Sequence, residues 1–210
     1  MSGSLRIERV VTTGAFELDG GTWDVENNVW VVGNDNEVVV IDAAHDAEPI
    51  IAAVGGRNVV AVICTHAHND HVTVAPQLGK ALYAPVLLHP AEKQLWERVH
   101  PDQSFWPATD EQRIAVAGTE IEIIHTPGHS PGSVCIHELE TKVLFTGDTL
   151  FSGGPGATGR SFSDFPTIID SIREQLFCLP EETLVYTGHG AGTTIGTEAP
   201  HLAEWIARGN

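Results

Sequence analysis

Short apolar runs recur along the chain between glycine, proline and polar residues, a pattern typical of buried β-strands. We predict strands at residues 5–12, 28–33, 37–42, 59–64, 84–88, 120–124, 133–137, 142–145 and 183–186. The tripeptide Asn-Asp-Asn at residues 34–36 supplies hairpin turn chemistry between the second and third of these strands.

Apolar residues at helical spacing follow the strands in several segments. The predicted helices are residues 46–54, 72–82, 91–99, 166–179 and 198–208. Residues 101–107 show no regular pattern and are predicted as a loop. Because both halves of the chain run from strands into helices without a low-complexity linker, we expect an α+β fold of mixed sheets with helices outside.

Length and charge limit the classes of protein to consider. The 210 residues can bury a full core, and we expect one domain over residues 1–210. The net charge of −17 disfavours a nucleic acid partner, because binding to phosphate draws on clustered lysine and arginine. No segment approaches the length of a membrane span, and residues 1–6 lack the apolar stretch of a signal peptide.

The three cysteines, Cys64, Cys135 and Cys178, lie in apolar contexts with no paired spacing. We therefore expect buried, reduced thiols instead of disulfides, and a cytoplasmic protein.

The densest candidate chemistry lies at residues 65–71, Thr-His-Ala-His-Asn-Asp-His, directly after the predicted strand 59–64. His66 and His68 are two residues apart, so in extended backbone they point the same way. Asp70 and His71 follow as the chain turns. A helix cap would explain the aspartate but not the three histidines beside it.

Three further motifs each follow a predicted strand and contain glycine, which lets the backbone approach a bound group closely. They are Thr-Pro-Gly-His ending at His129, Thr-Gly-Asp ending at Asp148 and Thr-Gly-His ending at His189. A turn histidine or a capping aspartate would explain any one of them alone. Four such motifs, each at a strand end, are difficult to explain without a metal.

Taken together, these motifs resemble the metallo-β-lactamase superfamily, with its H-x-H-x-D-H signature at residues 66–71. The resemblance implies a four-layer αβ/βα sandwich with the metal site at one edge, between two sheets. It also implies three ligands on one ion, three on a second and one bridging them: His66, His68 and His129; Asp70, His71 and His189; and Asp148.

Asp42 ends the predicted strand 37–42, and two compatible roles are open for it. It can cap the helix predicted at 46–54. In the superfamily, an aspartate at this place supports the metal ligands from behind.

Five imidazoles and two carboxylates without a thiolate suit two zinc ions, and also iron or manganese. Two ions roughly 3.5–4 Å apart can share a hydroxide near neutral pH and polarise a carbonyl, and Asp70 would orient that hydroxide as well as bind metal. Asp148 stands where several true β-lactamases carry cysteine, which counts against β-lactam hydrolysis.

No motif offers a separate general acid for a poor leaving group. A thiolate leaves without prior protonation far more easily than an amine, since thiols ionise near pH 8.5. The site chemistry therefore favours hydrolysis of thioesters over amides, with esters and lactones left open.

Residues 147–151, 159–160, 179–180, 187–190 and 193–196 resemble short bacterial glyoxalase II enzymes, which hydrolyse hydroxyacyl thioesters such as S-lactoylglutathione. The helical domain with which larger members grip glutathione is not expected here, and Gly190-Ala191 replaces their Glu-Tyr. Arg160 matches a basic contact to the thiol cofactor. The implied substrate is an acylated small thiol, whether glutathione, bacillithiol, mycothiol or another carrier.

Four glycines within residues 152–160 predict a mobile flap that carries Arg160.

Two other functions are consistent with the same scaffold. Persulfide dioxygenases of the superfamily hold one iron with the residues that match His66, His129 and Asp148. A non-catalytic binding domain is the second, but degenerate scaffolds usually lose ligands, whereas all seven are present here.

Overall fold

Two six-stranded sheets form the centre of the fold, and helices cover the outer face of each. The computed structural model describes residues 5–209; residues 1–4, part of the segment predicted to lack a signal peptide, and residue 210 lie outside it. Within the described residues, no helix is both long and apolar enough to span a membrane.

The strands of the described chain are β1 (Arg6–Leu18), β2 (Gly21–Gly33), β3 (Glu37–Ile41), β4 (Asn58–Ile63), β5 (Val86–Leu88), β6 (Trp106–Pro107), β7 (Arg113–Val116), β8 (Thr119–His125), β9 (Val134–Glu138), β10 (Val143–Gly147), β11 (Leu150–Phe151), β12 (Gly154–Pro155), β13 (Leu184–Thr187) and β14 (Thr193–Thr194). The helices are α1 (Ala47–Val54), α2 (Asn69–Val72), α3 (Ala75–Ala81), α4 (Lys93–Val99), α5 (Phe165–Ser171), α6 (Ile195–Glu198) and α7 (Leu202–Arg208). Short 3₁₀ turns at Pro90–Glu92 and Ala199–His201 and a π-helical turn at Ile172–Leu176 complete the list.

Each sheet mixes parallel and antiparallel pairs. The first has the order β1-β2-β3-β4-β5-β6, antiparallel as far as β3 and parallel from there on. The second has the order β14-β13-β10-β9-β8-β7, in which β10 and β13 are parallel and the other neighbours antiparallel. The strands β11 and β12 form a separate ribbon.

Alternation along the strands divides the apolar residues among three cores. In β2, Val29 and Val31 face the helices α1 to α4, whereas Trp30 and Val32 face the second sheet. A third core lies between the second sheet and the helices α5 and α7, around Trp205. The order of layers is helix, sheet, sheet, helix, and the predicted α+β four-layer sandwich is confirmed.

The hairpin of β1 and β2 is much longer than the sequence pattern indicated. We predicted strands at residues 5–12 and 28–33, but the pairing continues to Leu18 opposite Gly21. The turn between them is Asp19-Gly20, both at positive φ, which is the backbone that a tight hairpin favours. Most residues of the added segment are exposed or half-buried, so the segment carries no apolar alternation.

Several predicted helices are interrupted. Residues 72–82 divide into α2 and α3, with Pro76 in the first turn of the second helix. Residues 166–179 form α5 and then the π-helical turn, and residues 198–208 divide where Pro200 starts a 3₁₀ turn. The strand β7 and the short edge strand β6, which falls in the predicted loop at 101–107, were not predicted.

The prediction that all three cysteines are buried is wrong for one of them. Cys64 and Cys135 are buried, but Cys178 is exposed because it lies in the turn after the π-helical segment.

Backbone hydrogen bonds join the two sheets at one end of the sandwich. The amide of Asn28 donates to the carbonyl of Gly188 at 2.7 Å, and the amide of Val134 donates to that of Thr65 at 2.9 Å. The Asn28 side chain also donates to the carbonyls of Thr187 and Gly190 at 2.9 and 3.1 Å.

We expect Asn28→Ala to lower the free energy of unfolding by about 1–3 kcal/mol, because the buried carbonyl of Thr187 loses one of its two donors and Nε of Arg9 loses its acceptor. Urea unfolding measures this, with the exposed Asn36→Ala as the control, which should stay within about 0.5 kcal/mol of the parent. Equal midpoints for Asn28→Ala and the parent would show that these contacts add no net stability.

Candidate metal centre

The seven side chains predicted as ligands lie together at the end of the sandwich where the sheets are joined. They are carried by the turn and helix after β4, by the loop before β9, and by the residues that follow β10 and β13. Three groups each place their ligand atoms within 4.8 Å of one another: His66, His68 and His129; Asp70, His71 and His189; and His66, His71 and Asp148. The structure therefore brings together all the predicted residues, while their role as ligands stays a prediction.

In the first group, Nδ1 of His68 lies 3.0 Å from Nε2 of both His66 and His129. In the second, Nε2 of His189 lies 3.2 Å from Nε2 of His71 and 3.3 Å from Oδ2 of Asp70. Three ring nitrogens or carboxylate oxygens that converge in this way match the donor set of a divalent cation.

Asp148 lies between the two groups. Its Oδ2 is 3.5 Å from Nε2 of His129 and 3.4 Å from Nε2 of His189, and its Oδ1 is 3.4 Å from Nε2 of His71. Among the described residues, Oδ1 of Asp148 and Oδ1 of Asp70 are buried without a hydrogen-bond partner. Buried carboxylate oxygens normally have partners, so these two atoms fit a site built for cations.

Hydrogen bonds behind the rings fix the orientation of the imidazoles. Nδ1 of His71 lies 2.9 Å from Oδ2 of Asp42, Nδ1 of His129 lies 2.9 Å from the carbonyl of Ala157, and Nδ1 of His189 lies 2.7 Å from that of Glu26. When Nδ1 carries the proton and points away from the cluster, Nε2 has the lone pair that faces the cluster.

Asp42 also accepts hydrogen bonds from the amide and the hydroxyl of Thr65, at 2.8 and 3.0 Å. The side chain that caps α1 is Asp46, which accepts from the amide of Glu48. The capping role considered for Asp42 is therefore wrong, because its carboxylate is engaged by Thr65 and His71.

Two glycines leave space that any side chain would fill. A Cβ at Gly188 would lie 2.4 Å from Oδ1 of Asp148 and 2.7 Å from Cε1 of His71. Gly147 has a positive φ of 48°, and a Cβ there would lie 2.5 Å from Oγ1 of Thr65. The glycines of the predicted motifs thus permit the close approach of the ligand loops.

Glu92 is a buried residue of the site that the sequence analysis missed. Its carboxylate accepts hydrogen bonds from the amide of Ala67 at 2.7 Å and from that of Gly132 at 2.6 Å. It therefore ties the loop of His66 and His68 to the loop of His129. No local motif marks it, because it lies in a segment whose pattern indicated only a helix.

Asn27 is a second missed residue. It is fully buried in β2, and its side-chain nitrogen lies 3.0 Å from Oδ2 of Asp70. It falls just before the predicted start of that strand, in a stretch with no candidate chemistry.

The two groups differ in protonation. Burial lowers the pKa of His66 and His68, in the latter to about 3. Burial would also lower the pKa of His189, but the carboxylates of Asp148 and Asp70 raise it to about 10. Burial opposes ionisation of Asp70 as well, yet His71, His189 and Asn27 bring its pKa down to about 2.

A cavity of about 200 Å³ opens above the cluster. Besides the predicted ligands, its lining consists of Phe16, Val25, Phe151 and Ala157. A recess of about 110 Å³ shares several of these residues and adds Leu18, Arg160, Ser161 and Ser163.

The tip of the β1–β2 hairpin forms one wall of this cavity. Asn69 holds it by donating to the carbonyl of Ala15 and accepting from the amide of Glu17, both at 2.8 Å. The ring of Phe16, between these two residues, lies 5.2 Å from that of His68. The Arg160 guanidinium stacks 3.9 Å from the ring of Trp23. Arg160 is thus at the mouth of the cavity, and its contact with substrate stays a prediction.

The fold and this cluster define a class of protein. The family model of the metallo-beta-lactamase superfamily matches residues 22–189, and the chain belongs to that superfamily, whose members are generally metal-dependent hydrolases. The predicted family and fold are confirmed.

Individual proteins and solved structures are also similar to this chain. The chain is 33% identical over 211 residues to hydroxyacylglutathione hydrolase GloC of Haemophilus influenzae, which covers 92% of this chain and 95% of that protein. It is 43% identical over 162 residues to an uncharacterized 11.5 kDa protein of Rhodococcus erythropolis, with 77% and 92% covered. The crystal structure of TTHA1623 in a di-iron-bound form is 33% identical, with a TM-score of 0.76 over 83% of this chain and 93% of that one.

The protonation difference predicts how metal binding responds to pH. In the metal-free protein, His71 and His189 have raised pKa values and carry protons at pH 7, whereas a ligand imidazole must be neutral. We expect occupation of the second group to release about two protons at pH 7, and its affinity to rise as pH increases toward about 10. Calorimetry in buffers of different ionisation enthalpy measures the protons, and release of none would contradict this prediction.

Asp148→Ala is expected to give a folded, metal-poor protein. The change removes the carboxylate that lies between the two groups and the charge that would offset repulsion between two cations, so affinity for both should fall by more than about 100-fold. Elemental analysis and urea unfolding measure metal content and stability. The control is Asp170→Ala, an exposed carboxylate of α5. Retention of both metals by Asp148→Ala would show that Asp148 is not the shared ligand.

Proposed function

We propose that this protein hydrolyses hydroxyacyl thioesters of a small thiol, with two divalent cations held by the seven residues of the cluster. The observation that carries the proposal is the lining of the cavity. Within the described part of the chain, it contains no ionisable side chain other than the predicted ligands. A substrate there has no separate acid to protonate its leaving group, so a group that leaves as a stable anion is favoured.

A thiolate meets that requirement, because thiols ionise near pH 8.5, only about 1.5 units above neutrality. When bound, two cations would bring the pKa of water to about 7 and polarise the substrate carbonyl. Asp70 is ionised above about pH 2, and its free Oδ1 can accept a hydrogen bond from the attacking water and orient it.

The walls of the cavity suit the two ends of such a substrate. Phe16, Val25 and Phe151 offer apolar surface beside the cluster, which fits a short acyl chain. Arg160 and two serines line the adjoining recess, which fits a polar or anionic thiol carrier. The similarity to a hydroxyacylglutathione hydrolase supports the same class of substrate.

Zinc, iron and manganese all suit a set of imidazoles and carboxylates without thiolate. The di-iron form of TTHA1623 supports a site for two ions and supports iron as one alternative.

The test is metal analysis of the purified protein combined with a substrate panel. We expect two metal ions per chain, and a kcat/KM on S-lactoylglutathione at least about tenfold above that on the matched lactate ester and lactamide, equivalent to about 1.4 kcal/mol of barrier. Asp148→Ala, prepared in the same way, controls for contaminating hydrolases.

One iron per chain with oxygen consumption on a persulfide, and no thioester hydrolysis, would instead identify a dioxygenase. Preference for the ester or a lactone would move the assignment to those substrates.

A further inference from the structure

Asn27 places a side-chain amide against all three atoms of the second ligand group. Its Nδ2 lies 3.0 Å from Oδ2 of Asp70, 3.2 Å from Nε2 of His71 and 3.4 Å from Nε2 of His189. The first group contains none of these residues. Any effect of Asn27 should therefore fall on one metal position and spare the other.

The other end of this amide is also held. Nε2 of His45 lies 2.8 Å from Oδ1 of Asn27, so its N–H can donate to that oxygen. With Oδ1 engaged by His45, the NH₂ group is the end of the amide that faces the ligands.

His45 itself is fixed by its surroundings. It has a positive φ of 56°, uncommon outside glycine. Its ring packs against Gly14 of β1, where a Cβ would lie 2.2 Å from Nδ1. The loop after β3, the hairpin and the ligand group are thus connected through one imidazole and one amide.

We propose that Asn27 is a positioning residue for the second metal ion: it donates to Oδ2 of Asp70 and fixes the direction of that carboxylate, and His45 fixes the direction of the amide. Carboxylates that bind metals are normally held by such hydrogen bonds, and loss of the partner typically costs about 10–100-fold in affinity or activity. The proposal rests on the two-ion site proposed above.

The test measures zinc affinity of the metal-free protein by competition with a chelating dye, which resolves two binding steps. Asn27→Ala should weaken one step by about 10–100-fold and leave the other within about twofold. His45→Ala should weaken the same step by a smaller factor, and His45→Gln, which keeps an N–H donor at the end of the side chain, should restore it.

The matched control is Asn34→Ala. Asn34 is also a buried asparagine, and its side chain accepts hydrogen bonds from the amides of Asn36 and Glu37 in the turn after β2. Asn34 lies roughly 20 Å from Asn27 along the strand direction, so Asn34→Ala should lower stability without changing either zinc step.

Each other outcome is informative. Unchanged zinc steps in Asn27→Ala, or equal weakening of both, would overturn the proposal. Failure of His45→Gln to restore the step weakened in His45→Ala would overturn the role of His45. If Asn27→Ala does not fold, the two His45 variants decide. A wild-type protein that binds one zinc ion only would overturn both the two-ion site and the role of Asn27 at its second ion, whereas two wild-type zinc steps that Asn27→Ala leaves unchanged would overturn the role of Asn27 alone.

Discussion

The structure depends on burying two carboxylates beside five imidazoles where the sheets meet. A buried anion without a partner is costly, and Asp70 and Asp148 are stabilised by the nearby rings of His71 and His189. Each carboxylate still keeps one oxygen without a hydrogen-bond partner among the described residues. The end of the sandwich therefore presents two carboxylates, each with an oxygen that a cation could bind, which fits a family of metal-dependent hydrolases.

Keeping these side chains together requires contacts that join the two sheets at this end. The predicted ligands that follow the first sheet, such as His66, and those that follow the second, such as His189, could share metal ions only within a few ångströms of each other. The bonds from Asn28 to the loop of His189 and from Val134 to Thr65 hold the two sheets in this relation. Glu92 links two loops that carry predicted ligands in a similar way, because its carboxylate accepts a hydrogen bond from each of them. Support of the site is thus distributed over residues that touch no ligand.

The sequence predicted the cluster because its ligands follow strands with continuous apolar cores, such as residues 59–64, and because glycine marks the loops. It missed the extension of the β1–β2 hairpin, since strands exposed on both faces carry no apolar alternation and register contacts such as those of Asn69 are not local. Glu92 and Asn27 were missed for a related reason. Glu92 is one polar residue in a predicted helix and Asn27 is one polar residue just before a predicted strand, and only the fold shows what each faces.

The uneven placement of the carboxylates makes the two groups chemically different. Asp70 belongs to the second group, and the shared Asp148 raises the pKa of both His71 and His189, whereas His66 and His68 are held neutral by burial. A cation would therefore bind at the first group without displacing protons from His66 and His68. Binding at the second group would displace the protons of His71 and His189. The contacts of Asn27 and His45 fall on the second group as well. The structure thus concentrates these supporting contacts on the group where protons would compete with a cation.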